Sequence, residues 1–164
     1  MFAADWRLLW WNHSWAALLG DPSIITPEHR SLVRSRFPIP GIDGGVEAWP
    51  VRSDNADATD RAIVADLRRA SARYPEDRRL AELLHQTISA NPHFAQLWRE
   101  GAVGEHAEDR KTIEHPTVGE ITVSCDTLYA GDTDLKIVAM TATTGSEDAS
   151  KIEFARMTSL TSAK

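Results

Sequence analysis

The chain has one cysteine, Cys125, among 164 residues. That excludes an internal disulfide framework and fits a reducing compartment. No apolar run approaches the roughly 18–20 residues that a membrane helix needs. A signal-peptide layout is also missing, because Asp5 and Arg7 interrupt the apolar start. The expected location is the cytoplasm. Basic charge is scarce: 18 Lys and Arg stand against 24 Asp and Glu, for a net charge of −6. Duplex DNA binding relies on many Lys and Arg contacts to phosphate, so this domain is not expected to touch nucleic acid directly. Its basic clusters, Arg68/Arg69/Arg73 and Arg78/Arg79, lie among acidic neighbours and read as solvated helix faces. Catalytic signatures are missing as well, with no G-x-S-x-G, P-loop or G-x-G-x-x-G. His93, His106 and His115 fall in separate segments with no HxH or CxxC pairing, so neither a metal nor another cofactor is expected.

Tryptophan, by contrast, is concentrated. The stretch "DWRLLWWNHSWAALLG" holds Trp6, Trp10, Trp11 and Trp15, four of the six in the chain. Residues 5–12 read as a strand with Leu9 and Trp11 on one face and Leu8 and Trp10 on the other. Asn12 or Ser14 caps a short helix carrying Trp15, Leu18 and Leu19, which Gly20-Asp21-Pro22 stops. A second short helix is expected over 27–36, with Pro27 in its first turn. Residues 38–57, rich in Pro and Gly, show no period and read as a long loop, a class of segment that is usually functional or disordered.

Order returns in "DATDRAIVADLRRASARY", "PEDRRLAELLHQTISA" and "NPHFAQLWREG", whose apolar residues recur at helical spacing. The period then changes from 3.6 to 2. "KTIEHP", "GEITVSCDTLYA" and "LKIVAMTATT" read as strands, with "AGDTD" as a hairpin turn and a terminal helix over 147–160. The last strand is apolar on both faces and is expected at the centre of the sheet. The order predicts one α+β domain over 1–164, in which the first strand joins the other three and the helices pack on one face. A cavity between short helices and sheet would suit a small apolar ligand.

Several segments carry a resemblance to one family. "WRLLWWNHSWAALLGD", "HRSLVRSRF", "VADLRRASARYPEDRRLAELL", "FAQLWRE" with "RKTIEHPTVGEITVSCDTL", and "IVAMTATTGSEDASK" follow in the order of the C-terminal ligand-binding domain of MmyB-like (MltR-type) transcription regulators. The most specific part is Phe-x-x-Leu-Trp, then Lys, then His-Pro-x-Val-Gly leading into a strand. The resemblance implies a PAS-like antiparallel sheet with helices on one face. It also implies a sensor that modulates a helix-turn-helix DNA-binding domain of the XRE family. The chain departs from the family's pattern in residues 38–57, where "EAWP" echoes an acidic-Trp pair, and after "LWRE", where His106 is displaced. It begins almost directly in the first expected strand, so it reads as an excised domain or a stand-alone sensor, with the helix-turn-helix domain absent from this chain.

Trp11, Trp15, Phe37 and Trp98 are the aromatic candidates for a pocket wall, although a fully buried Trp contributes up to about 4–6 kcal/mol by burial alone and core filling explains part of the set. Because Trp10 and Trp11 point to opposite sides of one strand, at most one can face a given cavity. Lys111 and His115 lie four residues apart on one side of a strand, placed to hold a carboxylate head while the aromatics take an apolar tail. Alternatively, His115 serves its turn and Lys111 is solvated. Cys125 sits on an apolar strand face and reads as a small buried hydrophobe. The leading reading is a sensor domain for a small apolar, fatty-acid-like molecule, whose bound state biases a homodimer or an interdomain contact and which is not an enzyme. The rivals are a protein-interaction module without a ligand and a small enzyme using His115 with an acidic partner.

Overall fold

Helical periodicity in the middle of the chain is realised as three helices, α3 (Ala56–Arg73), α4 (Arg78–Ala90) and α5 (Pro92–Arg99). The computed structural model describes residues 1–42, 45–131 and 133–161. Before these come α1 (His13–Leu19) and α2 (Leu32–Arg36); α6 (Glu147–Thr161) closes the described chain. Asn12 caps α1 by accepting from the Trp15 N–H, as its position before the apolar run predicts. Asp77 and Asn91 do the same for α4 and α5.

The sheet has four antiparallel strands in the order β1 (Val51–Ser53), β2 (Asp109–His115), β3 (Gly119–Tyr129), β4 (Lys136–Thr141). Its inner face carries Lys111, Ile113, Val123, Cys125, Val138 and Met140 toward the helices. The outer face is polar, with Arg52 bridging Glu114 and Glu120 across three strands. The α+β architecture agrees with the sequence reading. Of the "AGDTD" turn and the 38–57 loop, Asp132 and Asp43-Gly44 lie outside the described residues.

Four expectations are corrected. Residues 5–12 are not a strand, because Trp6 takes a positive φ of 59° and reverses the chain there. The Ala3 N–H bonds to the Arg7 carbonyl, the Trp6 N–H to that of Ala3, and only Phe2 reaches the sheet, bridging Lys136. The fourth strand comes instead from 51–53, inside the segment that read as loop. Three residues are too short to show a period, yet they register Val51 against Ile113 and Ser53 against Lys111. β4 is an edge strand, not a central one; its outer Ile137 is left exposed while Val138 and Met140 face inward. The second short helix also starts later than expected, at Leu32 after the Ser31 cap, so Pro27 lies before it and not in its first turn.

Two apolar clusters fill the space between helices and sheet. The larger holds Phe2, Trp6, Val33, Phe37, Ile63, Leu67, Phe94 and Leu97. The smaller holds Leu18, Leu19, Ile113, Ile121 and Val123, and Trp15 touches both. The smaller one depends on a close approach after α1. Gly20 has a φ of 87°, and a Cβ there would lie 2.4 Å from the Ala48 Cβ. Gly20→Ala should therefore cost about 2–4 kcal/mol, from the left-handed backbone and the collision together. Thermal denaturation should show a midpoint lower by about 5–10 °C.

Candidate functional site

The inner sheet face does not meet the helices everywhere, and a cavity of about 380 Å³ remains between them. Lys111, Cys125, Thr127, Val138 and Met140 form its floor. α1 contributes Trp15, α2 contributes Arg34, Ser35 and Arg36, and α3 contributes Thr59 and Ile63. The N-terminal turn adds Phe2 and Trp6, and the 38–50 segment closes one side with Pro38, Ile42, Glu47 and Trp49. The strand period explains the floor: 111, 125, 127, 138 and 140 share one face.

The lining is apolar with an unusual polar component. Buried side-chain atoms without a hydrogen-bond partner include the indole nitrogens of Trp15 and Trp49, Oε2 of Glu47, and Nε and Nη1 of Arg34. Each belongs to a cavity residue. An unsatisfied buried polar atom costs about 1–3 kcal/mol, so these atoms are open to a polar group that enters the cavity. Burial pushes the Glu47 carboxyl above its ordinary range, against the opposing pull of the Ser35 hydroxyl, Lys111 and Arg36. The Ser35 Oγ in turn accepts from the Val46 N–H at 2.9 Å, fixing this segment over the helix.

The other charged side chains of the lining are paired. Lys111 Nζ donates to Asp109 at 3.0 Å, and Asp109 also accepts from Ser53 and Thr59. Burial works to raise the Asp109 pKa, but those hydrogen bonds and Lys111 prevail and hold it below the ordinary value. Arg36 meets Asp60 at 2.7 Å. His106 lies 3.1 Å from Asp66, a buried carboxylate on α3 that also receives the Trp6 indole N–H at 3.1 Å and the Tyr129 hydroxyl at 3.2 Å. Burial raises the Cys125 thiol to about 11, so it acts as a small apolar group in the floor and not as a nucleophile. Among the described residues, no three His, Cys, Asp or Glu side chains gather where they could hold a metal ion.

Of the six residues singled out from the sequence, Trp15 and Lys111 line this cavity; the other four lie elsewhere. Trp11 is half-buried with the Arg30 guanidinium over its ring. Phe37 is fully buried against Phe94, at 4.9 Å between ring centres, and Trp98 stacks on the other side of Phe94 beneath Arg68. His115 shares the strand face of Lys111 but sits beyond Ile113, its Nε2 2.9 Å from the Ala17 carbonyl. Its Nδ1 accepts the Thr117 N–H at the hairpin turn, as the turn-serving reading has it. Lys111 is not solvated, since it pairs with Asp109.

Sequence reasoning passed over Glu47, Trp49, Arg34 and the floor residues Cys125 and Thr127 as wall residues. The stretch "VEAWP" held only a faint signal, since the segment is bent, although Glu47 and Trp49 are partly buried on either side of an exposed Ala48.

A cavity of this size between short helices and one face of an antiparallel sheet, mainly apolar with some polar residues in its lining, has the form of a small-molecule site. The chain belongs to the family described as the MmyB-like transcription regulator ligand binding domain, which matches residues 1–154. That is a family of regulator domains and not of enzymes. No curated protein and no solved structure matches the chain. Among the described residues, no helix is long and apolar enough to cross a membrane.

Proposed function

We propose that the chain is a single PAS-like sensor domain of the cytoplasm, whose cavity takes up a small apolar, fatty-acid-like molecule and whose state is passed to a helix-turn-helix DNA-binding domain, attached or partnered. The observation that carries this is the cavity itself, lined by Phe2, Trp6, Trp15, Ile63 and Met140 together with a few residues that carry unpartnered polar atoms. The family membership supports the regulatory role.

The mechanism is a population shift. Several separate segments meet at the cavity, so a ligand prefers the arrangement in which all of them close on it. α1, which supplies Trp15, packs on α6, and that contact offers a route from cavity to C-terminus. α6 leaves Phe154 half-exposed, a feature that suits a homodimer or an interdomain contact as the output.

An eight-carbon amphiphile (octanoic acid, octanamide or octylamine) at about 100 times its Kd should stabilise the fold by about 2.7 kcal/mol. The melting midpoint should then rise by about 5–10 °C. Trp6, Trp15 and Trp49 border the cavity, so tryptophan emission should change with the same midpoint in concentration. If none of the three probes moves either signal, the sensor reading gives way to a protein-interaction module.

A further inference from the structure

Resting on that reading, we propose that an acyl carboxylate seats its head between the Lys111 ammonium and a protonated Glu47 carboxyl, so that uptake depends on a proton. Both side chains line the cavity. Each acts on the Cys125 thiol in the floor, and Lys111 acts on Glu47 itself, so the two share one end of the cavity. Ser35 bonds the Glu47 carboxyl, yet its Oε2 is buried without a partner. One carboxyl oxygen therefore stays open to a ligand.

Lys111 can be shared because Asp109 does not depend on it. Asp109 also accepts from the Ser53 hydroxyl, from the Asn55 N–H at 3.2 Å and from the Thr59 hydroxyl at 3.1 Å. Its two oxygens keep these donors if the ammonium turns toward a ligand. Charge then fixes the state of Glu47. Lys111 pairs with Asp109 and Arg36 with Asp60, so an entering carboxylate leaves this end with one net negative charge. An ionised Glu47 would add a second beside it, out of water. A protonated Glu47 donates its O–H to the incoming oxygen instead, in a charge-assisted bond. Burial favours the same form, since it outweighs Ser35, Lys111 and Arg36 and raises the Glu47 pKa. The charged and titratable groups at this end are Arg36 from α2, Lys111 and Asp109 from β2, and Cys125 from β3, a thiol raised to about 11. His106 also lines the cavity but is held by Asp66.

The test titrates the whole chain with octanoate and octanamide from about pH 6 to 9, where octanoic acid is ionised throughout. Tryptophan emission and calorimetry read the binding. At about pH 6 octanoate should bind about tenfold more tightly than octanamide. As pH rises through the raised pKa of Glu47, octanoate should lose up to about tenfold per unit, while octanamide changes by less than about threefold. Calorimetry in buffers of different ionisation heat should show that octanoate binding takes up a proton at the upper end. Glu47→Gln keeps a donor that does not titrate, so it should flatten this profile and bind octanoate more tightly than the parent at about pH 9. Lys111→Met should weaken octanoate about tenfold and octanamide by less than about threefold. Circular dichroism and melting check each fold, and the Glu47→Gln profile decides alone if Lys111→Met does not fold.

An octanoate affinity that is flat with pH in the parent, or that falls equally in Glu47→Gln, overturns the proposal. Octanoate binding lost in Arg34→Gln and kept in Lys111→Met overturns it in favour of Arg34, whose Nε and Nη1 are also buried without partners. Equal binding of octanoate and octanamide at about pH 6 reduces the site to an apolar one and overturns it too, while leaving the sensor reading intact. Silence from both probes removes the sensor reading itself.

Discussion

Asp66→Ala is expected to destabilise the fold by about 3–5 kcal/mol, because it strips a buried ion network of its central carboxylate. The Asp66 side chain is 2% exposed and Lys136, 3.8 Å away, is 4% exposed. Trp6, His106, Tyr129 and Arg69 complete the ring around it. Without Asp66, the Lys136 ammonium keeps the Ala4 carbonyl at 3.1 Å and the face of the Trp6 ring but loses its ion-pair partner, with Asp134 and Asp5 acting on it only from further away.

The midpoint of thermal unfolding should fall by about 10 °C or more. Lys136→Met in the Asp66→Ala background should restore part of the loss by removing the stranded charge. The pH dependence has a definite sign. Burial works to raise the Asp66 pKa, but the His106 hydrogen bond and the Lys136 charge outweigh it and hold it below 3.8. A depressed carboxyl contributes stability that is present above its unfolded pKa and lost as pH falls through the folded one. The gap between wild type and Asp66→Ala should thus be full at neutral pH and narrow only below about pH 4. A loss under about 1 kcal/mol at pH 7 would falsify this account of the network.

The same network shows why parts of the fold were not legible in the sequence. α3, α4 and α5 and the three long strands carry their own period, and local pattern found them. The N-terminal segment does not. Alternation of Leu and Trp over 5–12 is a sound strand signal, but Trp6 is drawn to Asp66, sixty residues away, and takes a left-handed backbone to get there. Long-range burial outweighs local preference at that residue. β1 fails for the opposite reason, being defined by a partner, β2, and by no pattern of its own.

The site divides along the same line. Lys111 and Trp15 sit on elements with a clear period, so their direction could be read from spacing. Glu47, Trp49 and Arg34 become wall residues only once Ser35 ties the Val46 backbone over α2 and Gly20 lets Ala48 approach. His115 and Trp98 stand out by composition, yet one is consumed by a turn and the other by the Phe94 stack. Residue type alone does not separate a wall from a support.

Cys125→Phe is expected to abolish ligand uptake while leaving the empty domain folded. The residue lies mid-strand in the cavity floor, opposite Asp109 in β2 and Met140 in β4. In a filled core such a change costs about 1–3 kcal/mol through overpacking, but here the ring can extend into open volume. The midpoint without ligand should therefore stay within about 3 °C of the parent or rise, since new apolar contacts replace a void. The rise of about 5–10 °C given by an eight-carbon ligand should shrink to less than about 1 °C. Cys125→Ala, which enlarges the same space, should keep the ligand response at slightly lower basal stability, so that loss of the thiol is separated from filling of the cavity. Differential scanning fluorimetry with octanamide on the three proteins decides the matter. A Cys125→Phe chain that still shows the full ligand shift would place binding outside this cavity.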